Sequence, residues 1–320
     1  MRVIRHLRDL PAGLRGAALA IGNFDGVHRG HQAVIAEAGR IARLEGVPHL
    51  VVTFEPHPRA VFRPGDPPFR LTPRRAKLQL FGALGVDATM VFRFDRRFAA
   101  ITAETFIEDV LVAGLAVRHV VIGRDFCFGR GRAGTADFLR DWAAGDADRA
   151  GFGVTAVPPE LDEAGQPYSS SRARDCLAAG DPAGAAAILG RPFAIGGHVR
   201  HGDHRGRLLG FPTANLALGD HIRPRTGVYA VRARSGAGVA LAGVANLGER
   251  PTVAGRDVRL EAHLFDFAGD LYGQWLDVAL VSFIRPETRF PDLDALKRQI
   301  AADAAEARTR LGLPAVGAAP

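Results

Sequence analysis

Short apolar runs alternate with amphipathic segments through the first half of the chain. Runs of about four to eight apolar residues predict buried strands, and segments with apolar side chains at helical spacing predict helices between them. The predicted strands are Ala17–Ile21, His49–Phe54, Ala88–Phe94 and His119–Ile122, and the predicted helices are His31–Leu44, Arg74–Leu84 and Ala103–Leu115. Such alternation is typical of a parallel sheet with helices on both faces, whose ligands bind beyond the carboxyl ends of the strands.

The pattern changes after about residue 185. Glycine, proline and aspartate separate five predicted strands, at Ala194–Arg200, Val228–Ala233, Val239–Ala245, Arg259–Phe265 and Leu276–Phe283. Short strands at this spacing predict a small antiparallel barrel, and Leu293–Leu311 predicts a closing helix. We predict domains over residues 1–185 and 186–312, joined at a helical segment Asp175–Leu189, and a disordered tail over 313–320.

Composition and cysteine usage are those of a globular protein in a reducing compartment. The 320 residues are 47% hydrophobic and 23% charged. No apolar run reaches the roughly 18 residues that a transmembrane helix needs, and Met1–Leu10 lacks the apolar core of a secretory signal. Two cysteines, Cys127 and Cys176, are too few for a disulfide framework. We therefore expect a cytoplasmic protein with no membrane partner.

The charge balance excludes one large class of nucleotide-binding proteins. The formal net charge is +7, and only two of the 41 basic residues are lysines, Lys77 and Lys297. Neither lies in a GxxxxGK[ST] pattern, which excludes a P-loop. The arginines are scattered, and three tyrosines with two tryptophans are few for stacking on bases. An alternative function as a nucleic-acid-binding protein is therefore disfavoured, and salt-sensitive oligonucleotide binding would revive it.

The first predicted strand ends in the string GNFDGVHRGH, at Gly22–His31. A helix that begins here offers unpaired N–H groups and the positive end of its dipole to a phosphate. His28 and His31 are three apart, so both can point toward phosphate oxygens as charge develops. Gly22 and Gly30 would let a nucleotide approach the backbone. The H-x-G-H pattern is similar to the signature of nucleotidyltransferases that transfer an adenylyl group.

A second motif, YSSSRAR, lies at Tyr168–Arg174. Hydroxyls, helix-start amides and guanidinium groups together suit a triphosphate, which favours Ser170, Ser171 and Arg172 as phosphate ligands. A run of capping residues before a helix would give the same pattern, so alone the motif leaves both interpretations open.

A third motif, GRLLGFPTAN, lies at Gly206–Asn215 in the β half. Thr213 and Asn215 are two apart, so on an extended strand their side chains point the same way. Hydroxyl and amide oxygens are hard ligands that suit a nucleotide-bound Mg²⁺. The alternative is a turn that threonine and asparagine cap.

A carboxylate in the same half could act as a general base. In the segment Leu260–Phe267, Glu261, His263 and Phe265 share one face of a predicted strand. Glu261 could accept a proton from an attacking hydroxyl, and a solvated strand residue is the equally weighted alternative.

A histidine metal site and a cysteine nucleophile are two further possibilities that the sequence disfavours. Three histidines are spaced by three residues, His198, His201 and His204. In a strand-to-loop segment this spacing does not bring the rings together, so a transition-metal site is disfavoured. Cys127 lacks the basic surroundings of a nucleophile and is interpreted as a packing residue.

Together these strings resemble the bacterial bifunctional riboflavin kinase/FAD synthetase family from about Val3 to Leu311. Connecting strings extend the resemblance: Thr53–Pro58 (TFEPHP), Phe94–Ala99 (FDRRFA), Gly123–Gly129 (GRDFCFG) and Asp270–Gly273 (DLYG). The resemblance implies a Rossmann-like nucleotidyltransferase domain followed by a small antiparallel β-barrel flavokinase domain with a C-terminal helix. It implies phosphorylation of riboflavin to FMN by ATP with Mg²⁺, and adenylyl transfer from a second ATP to FMN, giving FAD and pyrophosphate.

The resemblance also implies roles for individual residues. His28 and His31 would handle the ATP phosphates in adenylyl transfer, Glu261 would be the catalytic base of the kinase, and Thr213 and Asn215 would hold Mg²⁺. The implied ATP or phosphate ligands are Gly22, Asn23, Phe24, Gly30, Ser170, Ser171, Arg172, Gly206, Arg207, Gly210 and Pro212. The implied flavin-binding residues are Phe54, Asp125 and Arg250.

Three positions depart from the family pattern. Tyr168 and Leu247 stand where isoleucine is usual, and Ser171 stands where threonine is frequent. Ser171 keeps the hydroxyl, so triphosphate binding is expected to survive.

The alternative within the same class is a nucleotidyltransferase with another acceptor, such as phosphopantetheine or nicotinamide mononucleotide. The motif at Gly206–Asn215 argues against it, because one transfer needs no second nucleotide loop. We expect a monomer or weak homo-oligomer with small-molecule substrates and no nucleic-acid partner.

Overall fold

The computed structural model describes residues 1–145, 151–201, 210–252 and 255–314, with the side chains of residues 250–257 left out. These residues form two compact units. The first contains Met1–Pro67 and Thr72–Ser169, and the second contains Pro68–Leu71 and Ser170–Pro320. The boundary we predicted between residues 185 and 186 stays a prediction. His204, Gly206 and Arg207 lie outside the described residues.

A six-stranded parallel sheet forms the centre of the first unit, in the order β1-β4-β3-β2-β5-β6. Its strands are β1 (Arg2–Ile4), β2 (Ala18–Ile21), β3 (His49–Glu55), β4 (Ala88–Arg93), β5 (His119–Gly123) and β6 (Gly153–Val157). The four predicted strands are confirmed within one or two residues. The two edge strands were not predicted, because they are short and carry exposed or half-buried side chains instead of a continuous apolar run.

Helices cover both faces of this sheet, as predicted. They are α1 (Arg29–Glu45), α2 (Pro58–Phe62), α3 (Arg74–Ala83), α4 (Ala103–Thr105, continuing as a π-helix over Phe106–Gly114) and α5 (Ala136–Ala144). Neighbouring strand residues serve opposite faces. Leu50 packs in one core with Leu111, whereas Val51 packs in the other with Ile35 and Phe81.

The second unit is a six-stranded antiparallel sheet in the order β7-β12-β9-β10-β11-β8. Its strands are β7 (Ala194–His198), β8 (Ala214–Ala217), β9 (Gly227–Ser235), β10 (Ala240–Thr252), β11 (Gly255–Leu264) and β12 (Trp275–Arg285). The N–H of Arg200 donates to the carbonyl of Asn215 at 2.9 Å, so the two outer strands meet and the barrel is nearly closed. The predicted barrel is confirmed. Strand β8 was missed because its four residues include no β-branched side chain.

The predicted helical segment Asp175–Leu189 is helical, but it is interrupted at Gly180 and Asp181, so two helices occupy it instead of one. Helix α6 (Ser170–Ala179) ends before Gly180, whose φ is 80°, and α7 (Pro182–Leu189) begins after Asp181. Asp181 caps α7, because its Oδ1 accepts from the N–H of Gly184 at 2.8 Å. A left-handed glycine followed by a capping aspartate and a proline stops one helix and starts the next.

Helix α8 (Leu293–Arg310) packs on the outer face of the barrel, with Ala304 and Ala307 in one core with Ala230 and Val244. An ion pair fixes this helix to the end of β12. The Arg285 guanidinium donates from Nε to Oδ1 of Asp303 at 2.8 Å and from Nη2 to Oδ2 at 2.7 Å.

The segment after α8 is tied to the helix for at least two residues. The N–H of Leu313 donates to the carbonyl of Arg308 at 2.9 Å, and Arg308 Nη1 donates to the carbonyl of Pro314 at 3.2 Å. Both residues belong to the tail that we predicted over 313–320, and residues 315–320 lie outside the described part of the chain.

The stability of the second unit should depend on the protonation of His221. This ring is buried, its Nδ1 donates to the carbonyl of Leu218 at 2.7 Å, and burial lowers its pKa. The unfolded chain takes up a proton near pH ~6.5, whereas the folded chain resists protonation until lower pH. The free energy of unfolding should therefore fall as the pH drops below ~6.5, by at most about 1.4 kcal/mol per pH unit for this group.

Urea unfolding of the second unit at about pH 7.5 and about pH 5.5 measures this dependence. His221→Gln keeps a donor but does not titrate, so its stability should vary less with pH than that of the unmodified protein. Equal pH dependence in both proteins would contradict the assignment to His221.

Candidate active sites in the two units

The turn between β2 and α1 has an unusual backbone. Phe24 (φ 50°) and Val27 (φ 43°) both lie in the left-handed region, which side chains other than glycine rarely adopt. Thr72 holds the turn from outside, since its N–H donates to Asp25 Oδ1 at 3.0 Å and its Oγ1 accepts from the N–H of Gly26 at 2.8 Å. The chain therefore reverses tightly, and α1 begins close to the carboxyl end of β2.

The two predicted histidines lie together at the start of α1. His28 is the residue before the helix, and its Nδ1 accepts from the N–H of His31 at 3.3 Å. The two rings stack, with centroids 3.6 Å apart and planes inclined by 24°. Because Nδ1 of His28 is the acceptor, a neutral His28 carries its proton on Nε2. A helix start with imidazole groups beside it favours an anion.

The two glycines beside the histidines serve packing. A Cβ atom at Gly22 would lie 2.9 Å from the ring of Phe24, and one at Gly30 would lie 3.2 Å from Cε1 of His28. We predicted these glycines as openings for a nucleotide, but in this structure the adjacent space is occupied by the protein's own rings. Their role as nucleotide ligands stays a prediction.

Tyr168, which departs from the family pattern, lies in this part of the first unit. Its carbonyl oxygen would be 3.5 Å from a Cβ at Gly30, and the guanidinium of Arg29 lies 5.8 Å from its ring centre. The aromatic ring thus gains a cation–π contact that isoleucine would not provide.

Ser169 also belongs to the first unit, whereas the rest of the second motif, from Ser170 to Arg174, belongs to the second unit. Helix α6 begins at Ser170, so Ser170, Ser171 and Arg172 form its first turn. Their first-turn N–H groups and side chains are of the type that binds phosphate, as the sequence indicates.

A cavity of about 720 Å³ in the first unit is lined mainly by aromatic rings. Asn23 and Phe54 contribute from the ends of β2 and β3, and their roles as phosphate and flavin ligands stay predictions. Six other phenylalanines share the lining: Phe62, Phe94, Phe98, Phe106, Phe126 and Phe128. Three arginines also line this cavity, Arg59, Arg130 and Arg132, and Arg59 donates from Nε to Asp66 Oδ2 at 2.9 Å. An apolar aromatic cavity with several cations suits a flat aromatic ligand that carries an anionic group.

Asp125, which we predicted to contact flavin, is exposed and does not line this cavity. Its neighbours Phe126, Cys127 and Phe128 do. The GRDFCFG string contributes aromatic rings to the cavity, and a contact of Asp125 with flavin stays a prediction. The interpretation of Cys127 as a core residue is incomplete, because its side chain borders the cavity.

A row of polar residues crosses three strands in the second unit. Asn246 on β10 lies opposite Glu261 on β11, which lies opposite Asn215 on β8. Residues directly opposite each other in an antiparallel pair face the same side of the sheet. Asn215 Nδ2 donates to the carbonyl of Thr213 at 3.3 Å, so the oxygen of this amide is the atom suited to a cation.

Two cavities meet at Thr213. One, of about 340 Å³, lies between the outer face of the barrel and α8 and is lined by Glu261 and Asn246. The other, of about 320 Å³, includes Ala262 on the opposite face of β11, together with Pro212. Thr213 lines both cavities, so this residue lies where ligands in the two cavities would approach each other.

The structure adds a carboxylate that sequence reasoning missed. Glu287 lines the same cavity as Glu261, and its Oε1 accepts from Asn246 Nδ2 at 3.2 Å. A Cβ at Gly248 would clash with that Oε1, so a larger residue there would displace the Glu287 carboxylate. The RPE string after β12 was the available signal, although a glutamate in a loop is by itself unremarkable.

The remaining predicted residues of the β half are only partly described. Gly210 is exposed with φ 86°, which fits a glycine turn, and the carbonyl of Pro212 accepts from the His263 ring at 2.9 Å. Arg250 lies in β10, and its side chain lies outside the part of the chain that the structure describes.

The donor atoms near Thr213 fit Mg²⁺. Hydroxyl, amide and carboxylate oxygens are ligands that this ion prefers, and it commonly completes its shell with water and phosphate. In the described residues, no group of three histidine, cysteine, aspartate or glutamate side chains could hold a metal. His198 donates from Nδ1 to the carbonyl of Gly273 at 3.0 Å, and the ring of His201 stacks on that of Tyr272, with centroids 4.0 Å apart.

The fold and the two sites define a two-unit enzyme that joins a nucleotidyltransferase sheet to a nucleotide-handling barrel. A family model described as FAD synthetase matches residues 10–172, and one described as riboflavin kinase matches residues 189–311. The chain belongs to the family of bifunctional riboflavin kinase/FMN adenylyltransferases. It is a riboflavin kinase and an FAD synthetase.

Relatives of that name match nearly the whole chain. The one from Escherichia coli (strain K12) is 46% identical over 98% of this chain and 99% of its own. Those from Pseudomonas fluorescens and Bacillus subtilis are 45% and 39% identical, over 96% and 91% of this chain and 97% and 91% of their own.

A solved structure with a different title has a similar fold. The crystal structure titled as a macrolide-efflux protein from Streptococcus pneumoniae matches 97% of this chain and 99% of its own, with a TM-score of 0.84 and 31% identity. Among the described residues of the present chain, no helix is both long and apolar enough to cross a membrane.

Gly30→Ala should slow FAD formation without lowering the stability of the protein. Alanine favours a helix by up to about 1 kcal/mol over glycine, so the fold should not be weakened. The new methyl group would lie 3.2 Å from the His28 ring and displace it by a few tenths of an ångström. We expect FAD formation from FMN to fall roughly tenfold, because small errors in position are costly in catalysis. Thermal unfolding and both reaction rates measure this, and an unchanged rate of FAD formation would contradict it.

Proposed function

We propose that the two activities are divided between the two units. The first unit transfers the adenylyl group of ATP to FMN, and the second phosphorylates riboflavin. The supporting observation is that the stacked pair His28–His31 and the aromatic cavity belong to the first unit, whereas Thr213, Asn215 and Glu261 belong to the second.

In the first unit, a phosphate oxygen of FMN attacks the α-phosphorus of ATP, and the bond to pyrophosphate breaks. The nucleophile is already anionic, so no strong base is needed. His28, His31 and the N–H groups at the start of α1 would stabilise the charge that develops on the phosphate oxygens. Most of the acceleration then comes from position and electrostatics.

The aromatic cavity is the proposed flavin site. Its volume of about 720 Å³ lies within the usual range of about 300–1,000 Å³ for ligand pockets. Phe54 and the neighbouring rings would contact the isoalloxazine, and Arg130 and Arg132 would attract the FMN phosphate, whereas the charge of Arg59 is offset by its ion pair with Asp66. This assignment replaces Asp125 by the aromatic and basic residues beside it.

In the second unit, the terminal hydroxyl of riboflavin attacks the γ-phosphorus of ATP. Glu261 orients this hydroxyl and accepts its proton, which places riboflavin in the cavity beside α8. The nucleotide would occupy the cavity on the other side of Thr213. Thr213 and Asn215 would hold Mg²⁺, which offsets phosphate charge when bound.

Several assignments stay predictions. They concern the phosphate ligands Ser170, Ser171, Arg172, Gly206, Arg207, Gly210 and Pro212 and the flavin ligand Arg250. The two cysteines are unpaired thiols, which fits the reducing cytoplasm that we propose as the location. A monomer or weak homo-oligomer remains our expectation for the assembly.

Two variants should separate the reactions. Glu261→Gln removes the base but keeps the shape, so formation of FMN from riboflavin should fall at least about 100-fold while conversion of FMN to FAD continues. His28→Ala combined with His31→Ala should abolish FAD formation and leave FMN formation intact. Incubation with ATP, Mg²⁺ and either flavin, followed by chromatographic separation of the flavins, measures both rates.

Each variant provides the control for the other, because both rates are read on the same protein. Loss of both reactions in the double histidine variant, with both units still folded, would refute the division of labour.

Thr213→Val tests the metal site. Valine keeps the volume but removes the hydroxyl oxygen, so the Mg²⁺ concentration that gives half-maximal FMN formation should rise about 10- to 100-fold. The Mg²⁺ dependence of FAD formation from FMN should not change. A parallel shift in both reactions would argue against a ligand role for Thr213.

A further inference from the structure

Lys77 is a fully buried lysine for which the proposed chemistry has no use. It lies in α3, and its ammonium group makes three polar contacts. Nζ lies 2.8 Å from Glu55 Oε1, 3.1 Å from the carbonyl oxygen of Asn23 and 3.2 Å from Thr53 Oγ1. An ammonium group has three N–H donors, so it can donate to each of these three oxygens.

Thr53 reinforces one of the three contacts. Its Oγ1 accepts from Lys77 and lies 3.3 Å from the carbonyl oxygen of Asn23, to which it donates. The Asn23 carbonyl thus receives two hydrogen bonds from the interior of the unit. Asn23 is the first residue after Gly22 in the turn that leads to His28, and it also lines the aromatic cavity.

A buried charge is costly to retain, and burial with a counterion does not by itself stabilise a fold more than apolar packing would. The reason for a buried lysine at this position is therefore to be sought in the groups to which its ammonium donates hydrogen bonds. The turn has two left-handed residues, Phe24 and Val27, and would relax if it were not held. Thr72 holds its middle, and Lys77 holds its beginning.

We propose that Lys77 is a positioning residue for adenylyl transfer, which fixes the Asn23 carbonyl and thereby the turn that sets the His28–His31 pair. Lys77 does not touch substrate, since its side chain is fully buried. This inference rests on the proposed role of the two histidines.

The test uses the double variant Lys77→Met, Glu55→Gln in the full chain. Both charges are removed together, so no unpaired charge remains in the interior. We expect the kcat of FAD formation from FMN to fall about 10- to 100-fold, with the KM for FMN changed by less than about twofold. FMN formation from riboflavin in the second unit should be unchanged.

Two variants serve as controls. Glu55→Gln alone keeps the ammonium and an oxygen acceptor but removes the counter-charge. Its stability should therefore fall, while the folded protein should retain most of the kcat. Lys297→Met changes the chain's other lysine, which is exposed on α8, and should have no effect. A Glu55→Gln rate as low as that of the double variant would assign the effect to Glu55 and overturn the proposal.

Thr53→Val decides the question if the double variant does not fold. It removes the second hydrogen bond to the same carbonyl with little change of shape, and we expect the kcat of FAD formation to fall about fivefold. A normal kcat in this variant, or in a folded double variant, would refute the role of Lys77.

Failure of the underlying function is distinguishable. If the double histidine variant formed FAD normally, the proposed site itself would be wrong. Normal FAD formation in the Lys77 double variant, together with an inactive histidine variant, would refute only the positioning role.

Discussion

The hydrogen bonds that hold the turn between β2 and α1 determine what the first unit can do. Left-handed backbone at a residue with a side chain costs about 1–3 kcal/mol, and this turn contains two such residues. It persists because Thr72 and Lys77 bind its polar atoms from two other segments of the chain. The result is a helix start at which His28 stacks on His31, in a position fixed by hydrogen bonds within the protein.

The second unit positions its polar groups by strand register. Asn246, Glu261 and Asn215 form one row because β10, β11 and β8 pair in a fixed register, with no left-handed residue among them. A shift of one residue would turn the whole row to the other face of the sheet. Helix α8 bounds the cavity over this row, and the Arg285–Asp303 pair attaches that helix to the end of β12.

Central strands and long helices were predictable, because residues buried on both faces give continuous apolar runs. Edge strands β1 and β6 were not, since exposure interrupts that pattern. The H-x-G-H and PTAN strings identified side chains that the structure brings together. The aromatic cavity was missed, since its phenylalanines come from separate segments with no common period. Most phenylalanines precede residue 170, and this uneven distribution was the one available signal.

The outer strands β7 and β8 of the nearly closed barrel meet at a seam, and Asn215 lies on this seam. The backbone of this residue accepts the hydrogen bond from Arg200 that joins the two outer strands, while its side chain belongs to the row with Glu261. A ligand bound by Asn215 would therefore also stabilise the contact between the two outer strands. The outer strand β8 would then open only when that ligand is released. Amide hydrogens along β8 should therefore exchange with solvent more slowly when the ligand is bound than when it is not.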